Sequence, residues 1–279
     1  MFGQAFFDLL KSIKPAPNRN LNSMDFVFFD ISIWIYLALF AAAFFAGVID
    51  AIAGGGGLIT VPVLLAAGLS PAEALATNKL QGCAGTVSAS YHFIKKGQVK
   101  LSDMWLPILM TAIGAICGTL LVSYLDSSLL LKAVPIILIA VAIFFFFLPK
   151  VQPYIASKFS LTHIQFAVII GTSIGFYDGL IGPGTGAFFS TAYLCLMGLT
   201  VVSATAHTKV LNATSNLASL AMFAFSGHLI WALGIVMGIG QWFGAQIGSR
   251  LVITKGAKLI RPMVIIMCLA ISVKLLLDN

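Results

Sequence analysis

Charge is what this sequence has least of. Only 25 of its 279 residues are Asp, Glu, Lys or Arg, or 9%, where a soluble domain carries about 25%. With 59% hydrophobic residues and 22 Phe, the chain cannot cover its surface with polar groups, which excludes a water-soluble fold. Cysteine is also scarce: Cys83, Cys117, Cys195 and Cys268 stand singly in apolar segments. That spacing excludes a disulfide framework and a cysteine metal site. There is no HExxH, no G-x-S-x-G and no Walker loop, and no soluble region larger than a loop. The chain therefore reads as neither an enzyme nor a pump with its own ATPase, and no cofactor or metal is expected.

What is there instead is a series of uncharged windows: Ile31–Ile49, Ala51–Ala72, Met104–Leu125, Phe159–Tyr177, Gly179–Thr208 and Val210–Ser249. A bilayer core of about 30 Å needs about 20 apolar residues in a helix. One such segment could be a signal peptide, but this many cannot. The chain is expected to be an all-α polytopic membrane protein, surrounded by a lipid bilayer. Spans are expected near 31–53, 72–95, 104–125 and 129–148, then near 161–181, 203–226, 229–252 and 258–277. Between the first two of each set lies a shorter apolar piece, 57–68 and 184–199, a candidate for a broken or re-entrant helix. Residues 1–30 read as an N-terminal arm, with Met24 an alternative start.

The two sets resemble each other. Asp50, Gly54 and Gly56 recur 128 residues later as Asp178, Gly182 and Gly184. From Leu69 the offset becomes 130, and Lys79, Gly97, Gly114 and Gly118 match Lys209, Gly227, Gly244 and Gly248. Asp, Lys and Gly in the same order indicate an internal duplication, with repeats at 31–150 and 151–279. If the short pieces cross, each half has five segments and the halves are inverted; if they only dip in, each has four and the halves are parallel. With ten crossings, Lys95, Lys96, Lys100, Lys150, Lys158, Arg250, Lys255, Lys258 and Arg261 share one side, which better obeys the positive-inside rule. Two inverted repeats of five segments are therefore expected. The same rule accounts for the net charge of +7 without any nucleic-acid partner.

Gly54, Gly55, Gly56 and Gly57, and Gly182-Pro183-Gly184 in the second half, read as helix breaks. Irregular backbone at membrane depth is tolerated only inside protein or along a watery cavity. Close packing of helices through small residues is the plainer alternative. Ser70-Pro71-Ala72-Glu73 reads as a capped helix start, which places Lys79 about 12 Å along the axis, near half the bilayer depth. Lys209 repeats it, counted from Thr200 as the cap. A lysine there costs about 2.5–3.5 kcal/mol on insertion scales and needs a partner or a wet cavity. Around it are Thr77, Asn78 and Gln81 in one half, and His207, Asn212 and Asn216 in the other. One reading is a structural ion pair within each half, Lys79 with Asp50 or Lys209 with Asp178. The other is two cationic residues facing an anion at the repeat interface, where transporters with inverted repeats hold their substrates. Asp50 and Asp178 would cap the following half-helix, neutralise a lysine or carry a coupling proton, and His207 is a further titratable candidate.

The stretch GVIDAIAGGGGLITVPVLLAAGLSPAEALATNKLQGCAGTVSA, with GFYDGLIGPGTGAFFSTAYLCLMGL and SATAHTKVLNATSNLASL in the second half, resembles the paired signature of the TauE/SafE family of sulfite and organosulfonate exporters. The likeness covers about residues 31–277. It implies a secondary transporter of small sulfur-containing anions in the bacterial inner membrane, with Asn78, Lys79 and Gln81 matching the first polar segment and Lys209, Asn212 and Asn216 the second. His207-Thr208-Lys209 stands where the first half has Thr77-Asn78-Lys79, so the two sides of the site need not be alike in detail. An anion channel on the same scaffold is the alternative, and a membrane-embedded enzyme a third reading.

Overall fold

The structure, a computed structural model, describes residues 33–147 and 161–255. The N-terminal arm, the span expected near 258–277, and Lys150, Lys158, Lys258 and Arg261 lie outside the described residues. Within them every regular element is helical. The order is α1 (Ile33–Ala53), α2 (Gly56–Ala66), α3 (Pro71–Lys95), α4 (Trp105–Tyr124), α5 (Ser127–Phe147), α6, α7 (Thr185–Leu196), α8 (Val201–Phe223) and α9 (Trp231–Lys255). Helix α6 is made of His163–Gln165, a π-helical turn at Phe166–Gly171, and Thr172–Leu180.

Local chemistry sets the ends of these helices. Ser70 accepts from the Glu73 amide and Glu73 returns a bond to the Ser70 amide, so the expected capping box is present, with Pro71 in the first turn. Thr200 accepts from the Ser203 amide and starts α8. The short pieces are helices of 11 and 12 residues, about 17 Å each, too short to cross alone. Both follow glycines with positive φ, Gly54 (79°) in the first half and Gly182 (93°) and Gly184 (86°) in the second.

Polarity is distributed inside out. Ile33, Trp34, Phe45, Leu109, Ile164 and Phe243 are exposed, whereas Thr77, Asn78, Lys79, Gln81, Thr208, Lys209, Asn212 and Asn216 are buried. An apolar exterior of this extent is stable only against lipid. Trp105 and Tyr124, both exposed, stand at the two ends of the 20-residue α4, about 30 Å apart along its axis, where interfacial aromatics sit. Helices α3 and α8 carry the polar residues and pack against each other; α9 flanks α3 with α1 on its other side, and α4 flanks α8 with α6 on its other side.

Glycine makes these contacts close. A Cβ at Gly240, Gly244 or Gly248 of α9 would collide with the α1 backbone at Phe40, Phe44 or Val48. The matched ascending order means that α1 and α9 run in the same direction. Helix α3 also runs parallel to α9, since Gly234 meets Leu80 and Gln241 meets Gly85. Helices α4 and α6 are parallel as well: Gly175 abuts Thr111 and Gly179 abuts Ala115. Gly244→Ala is therefore expected to lower stability by about 1–3 kcal/mol, the usual range for overpacking. Gly238→Ala, whose Cβ would lie 3.4 Å from the Ala84 Cβ, should be close to neutral. Apparent melting temperatures of the two purified variants separate these outcomes.

Candidate functional site

The two helix breaks meet at the centre of the molecule. Gly54 lies against the Gly186 backbone, and a Cβ at Gly57 would be 3.1 Å from the Pro183 Cα. Around them the four repeated charges form two ion pairs. Lys79 Nζ lies 2.8 Å from Asp178 Oδ1, and Lys209 Nζ lies 2.9 Å from Asp50 Oδ2. The pairing is crosswise: each lysine binds the aspartate of the other half. This corrects the expectation of Lys79 with Asp50 or Lys209 with Asp178. The cause is where the breaks meet: Gly54 seats against Gly186, itself beside Asn212 of α8, and Gly182 lies against the Lys79 ammonium, so each aspartate stands at the lysine of the other half.

All four groups are buried, at 7% or less of their possible exposure. In hydrocarbon neither charge could stand alone, and each pair is neutral. Asp50 also accepts the Gly56 amide through Oδ1 at 3.1 Å, so it both caps α2 and neutralises Lys209. Asp178 instead accepts the Thr185 hydroxyl at 2.9 Å.

Between the pairs is a cavity of about 30 Å³, room for about two water molecules. Of the residues expected at the site, Asn78, Asn212, Asn216, Asp50, Asp178, Gly54, Gly57, Gly182 and Gly184 line it. The lining also includes Thr86, Thr185 and Gln241, which the sequence did not single out. Thr86 had a usable signal: it lies at the register position of Asn216 in the other half (86 to 216). Gln241 had only its polarity, inside a 40-residue uncharged window. Lys79 and Lys209 stand behind their carboxylates and are not among the lining residues. Gln81 supports the wall by donating to Asn78 Oδ1 at 3.0 Å, which also accepts the Thr60 hydroxyl at 2.7 Å.

Thr77 and His207 fall outside the cavity. The Thr77 hydroxyl accepts the Ile230 amide at 3.3 Å and ties α3 to the start of α9. His207 Nδ1 lies 2.8 Å from the Ser203 carbonyl, and the ring sits against Tyr193. Replacing His207 with Gln is accordingly expected to leave the affinity for a solute held in the cavity within about twofold. Asn212→Ala should weaken it about tenfold, as for loss of a buried hydrogen bond to a charged group. Binding titrations of the purified variants measure both.

The family profile described as "Sulfite exporter TauE/SafE" matches residues 39–275. The chain belongs to this family. Membership makes it a membrane-integral protein of a transporter family. It is 48% identical over 241 residues to the "Probable membrane transporter protein YfcA" of Escherichia coli strain K12, covering 86% of this chain and 89% of the relative. A "Probable membrane transporter protein" of Haemophilus influenzae is 44% identical over 250 residues, 90% of this chain and 98% of its own. The Sinorhizobium "Probable membrane transporter protein ORF9" is 43% identical over 249 residues, covering 89% and 95%. No solved structure matches the chain.

Proposed function

We propose that the chain is a secondary transporter that exports small sulfur-containing anions, such as sulfite or organosulfonates, by alternating access across two inverted repeats, 31–150 and 151–279. The observation that carries this reading is the reciprocal pairing of Lys79 with Asp178 and Lys209 with Asp50 around one central cavity. Helix directions support the inversion. Helices α1 and α3 both run parallel to α9, so α2 between them runs back. Helix α4 returns after the short 96–104 connection, and α6 runs parallel to α4. The first helices of the two halves thus point in opposite senses. The same directions put Lys95, Lys96 and Lys100 on the side where α9 ends with Arg250, the cytoplasmic side by the positive-inside rule.

Chemically, the site offers two ammonium groups for charge and the amides of Asn78, Asn212 and Asn216 for oxygen positions. A sulfonate is larger than the cavity, so loading requires the glycine breaks to part. An anion binding near either lysine competes with its aspartate, which loosens a contact between the halves and favours their movement. Charge release of this kind admits proton coupling through an aspartate. Purified protein in vesicles is expected to show saturable sulfite or sulfonate flux with counterflow exchange, lost in Lys79→Ala and Lys209→Ala. Unsaturable flux without counterflow would point to a channel, and flux unchanged in both variants would remove the lysines from the site.

A further inference from the structure

The two crossed ion pairs are not equivalent, and the difference assigns them different roles. We propose that Asp178 is the carboxylate that takes up and releases a proton in the transport cycle, while Asp50 stays ionised. This inference rests on the transporter reading above.

Asp50 has both oxygens occupied: Oδ1 accepts the Gly56 amide and Oδ2 accepts Lys209. Protonating it would break one of these bonds, since a protonated oxygen becomes a donor facing another donor. In Asp178, Oδ1 accepts Lys79 Nζ at 2.8 Å and lies 2.9 Å from the Thr185 hydroxyl, whose single proton is shared with the Gly182 carbonyl at 2.6 Å. Its Oδ2 is buried and has no hydrogen-bond partner among the described residues. A buried carboxylate oxygen with nothing bound to it is the place where a proton adds without displacing a donor.

The asymmetry comes from the breaks. The amide that holds Asp50 belongs to Gly56, the first residue of α2, and its counterpart in the second half is Gly184 (56 to 184), which lies outside α7. Gly184 then adopts φ 86°, and α7 starts at Thr185. A side-chain hydroxyl therefore replaces the backbone amide that holds Asp50.

The surroundings also suit a proton at this atom. Facing Asp178 are Lys79 and Cys83 on α3 and Thr185 on α7, with Tyr177 beside it on α6 and Asp50 across the cavity. Tyr177 is engaged, donating its hydroxyl to the Pro183 carbonyl at 2.6 Å. Facing Asp50 are Lys209 on α8 and the Gly56 amide. Two other unpartnered acceptors, Asn212 Oδ1 and Gln241 Oε1, belong to residues of the same cavity wall.

The step is a simple proton addition. Asp178 goes from carboxylate to carboxylic acid, the Thr185 hydroxyl turns to the Gly182 carbonyl 2.6 Å away, and Lys79 keeps its charge but loses its counter-ion. A monovalent anion then restores neutrality. Proton and anion are loaded together, and the loaded site is neutral.

Infrared difference spectroscopy of the protein in lipid tests this without needing a transported substrate. On acidification from about pH 9 to about pH 4, a carbonyl band of a buried carboxylic acid should rise in the wild type, vanish in Asp178→Asn and persist in Asp50→Asn. Thr185→Val, which removes a hydrogen bond from the charged form, should move the midpoint to higher pH, about tenfold in proton affinity. This second variant decides the matter if Asp178→Asn does not fold. A band that follows Asp50, a wild type with no band, or a midpoint unmoved in Thr185→Val would overturn the assignment. Methanesulfonate, which does not titrate in this range, should strengthen the band at fixed pH. If neither it nor sulfite does so while the band still follows Asp178, the sulfur-anion reading and the joint loading fail, and the proton assignment stands.

Discussion

Replacing Lys79 with methionine should lower stability and abolish transport together, and adding Asp178→Asn should restore only the first. Lys79 is 1% exposed and Asp178 3%, so removing the ammonium strands a carboxylate at membrane depth. Breaking a buried pair from one side costs about 3–5 kcal/mol, whereas removing both charges is often close to neutral. The double variant should therefore regain most of the lost melting temperature, as measured on detergent-purified protein. Transport should stay absent, because the cationic partner for the anion is gone. The informative control is Lys79→Met with Asp50→Asn, the pair drawn from one half. Those groups do not bind each other, so their losses should add rather than cancel. A rescue by Asp50→Asn equal to that by Asp178→Asn would refute the crosswise pairing.

The second large effect is expected at Gly54. Its φ of 79° lies in the left-handed region, where a side chain costs roughly 1–2 kcal/mol. A Cβ there would also fall on the backbone of Gly186 and Ala187, so the two breaks could not meet. Gly54→Ala should reduce flux at least tenfold, which needs only about 1.4 kcal/mol on the transport barrier. Gly68 gives the comparison: its φ is 86°, but a Cβ would meet nothing within 4 Å. Gly68→Ala should lose only the conformational part and keep most of its flux. Vesicle flux normalised to reconstituted protein distinguishes steric contact between the breaks from backbone strain alone.

Most of the helical plan was legible because a bilayer imposes length and polarity together. The uncharged windows located α1 and α4, the Ser70 and Thr200 caps located the starts of α3 and α8, and the positive-φ glycines fell where the breaks were expected. The site was legible in part. Asn78, Asn212 and Asn216 announced themselves by polarity and by helical spacing from a lysine. What the sequence hid was pairing. Asp50 precedes Lys79 by 29 residues (50 to 79), and proximity along the chain suggested a bond between them. Only the meeting of the two breaks, with Gly54 against Gly186 and Gly182 against the Lys79 ammonium, shows that each aspartate crosses to the other half. Thr185 and Gln241 were missed for a related reason. Each is an uncharged polar residue in an uncharged window, and burial against a particular neighbour cannot be read from composition.

The crossed bridges also set a schedule for synthesis. Lys79 and Asp178 are 99 residues apart, and Asp50 and Lys209 are 159 apart. At a translation rate of about 5–20 residues per second, Lys79 waits roughly 5–20 s for its counter-ion to be made. During that interval the nascent first half holds a cation and a carboxylate at membrane depth with neither final partner in existence. The early helices must therefore be sheltered by the insertion machinery, or by transient mutual contacts, until the later ones arrive.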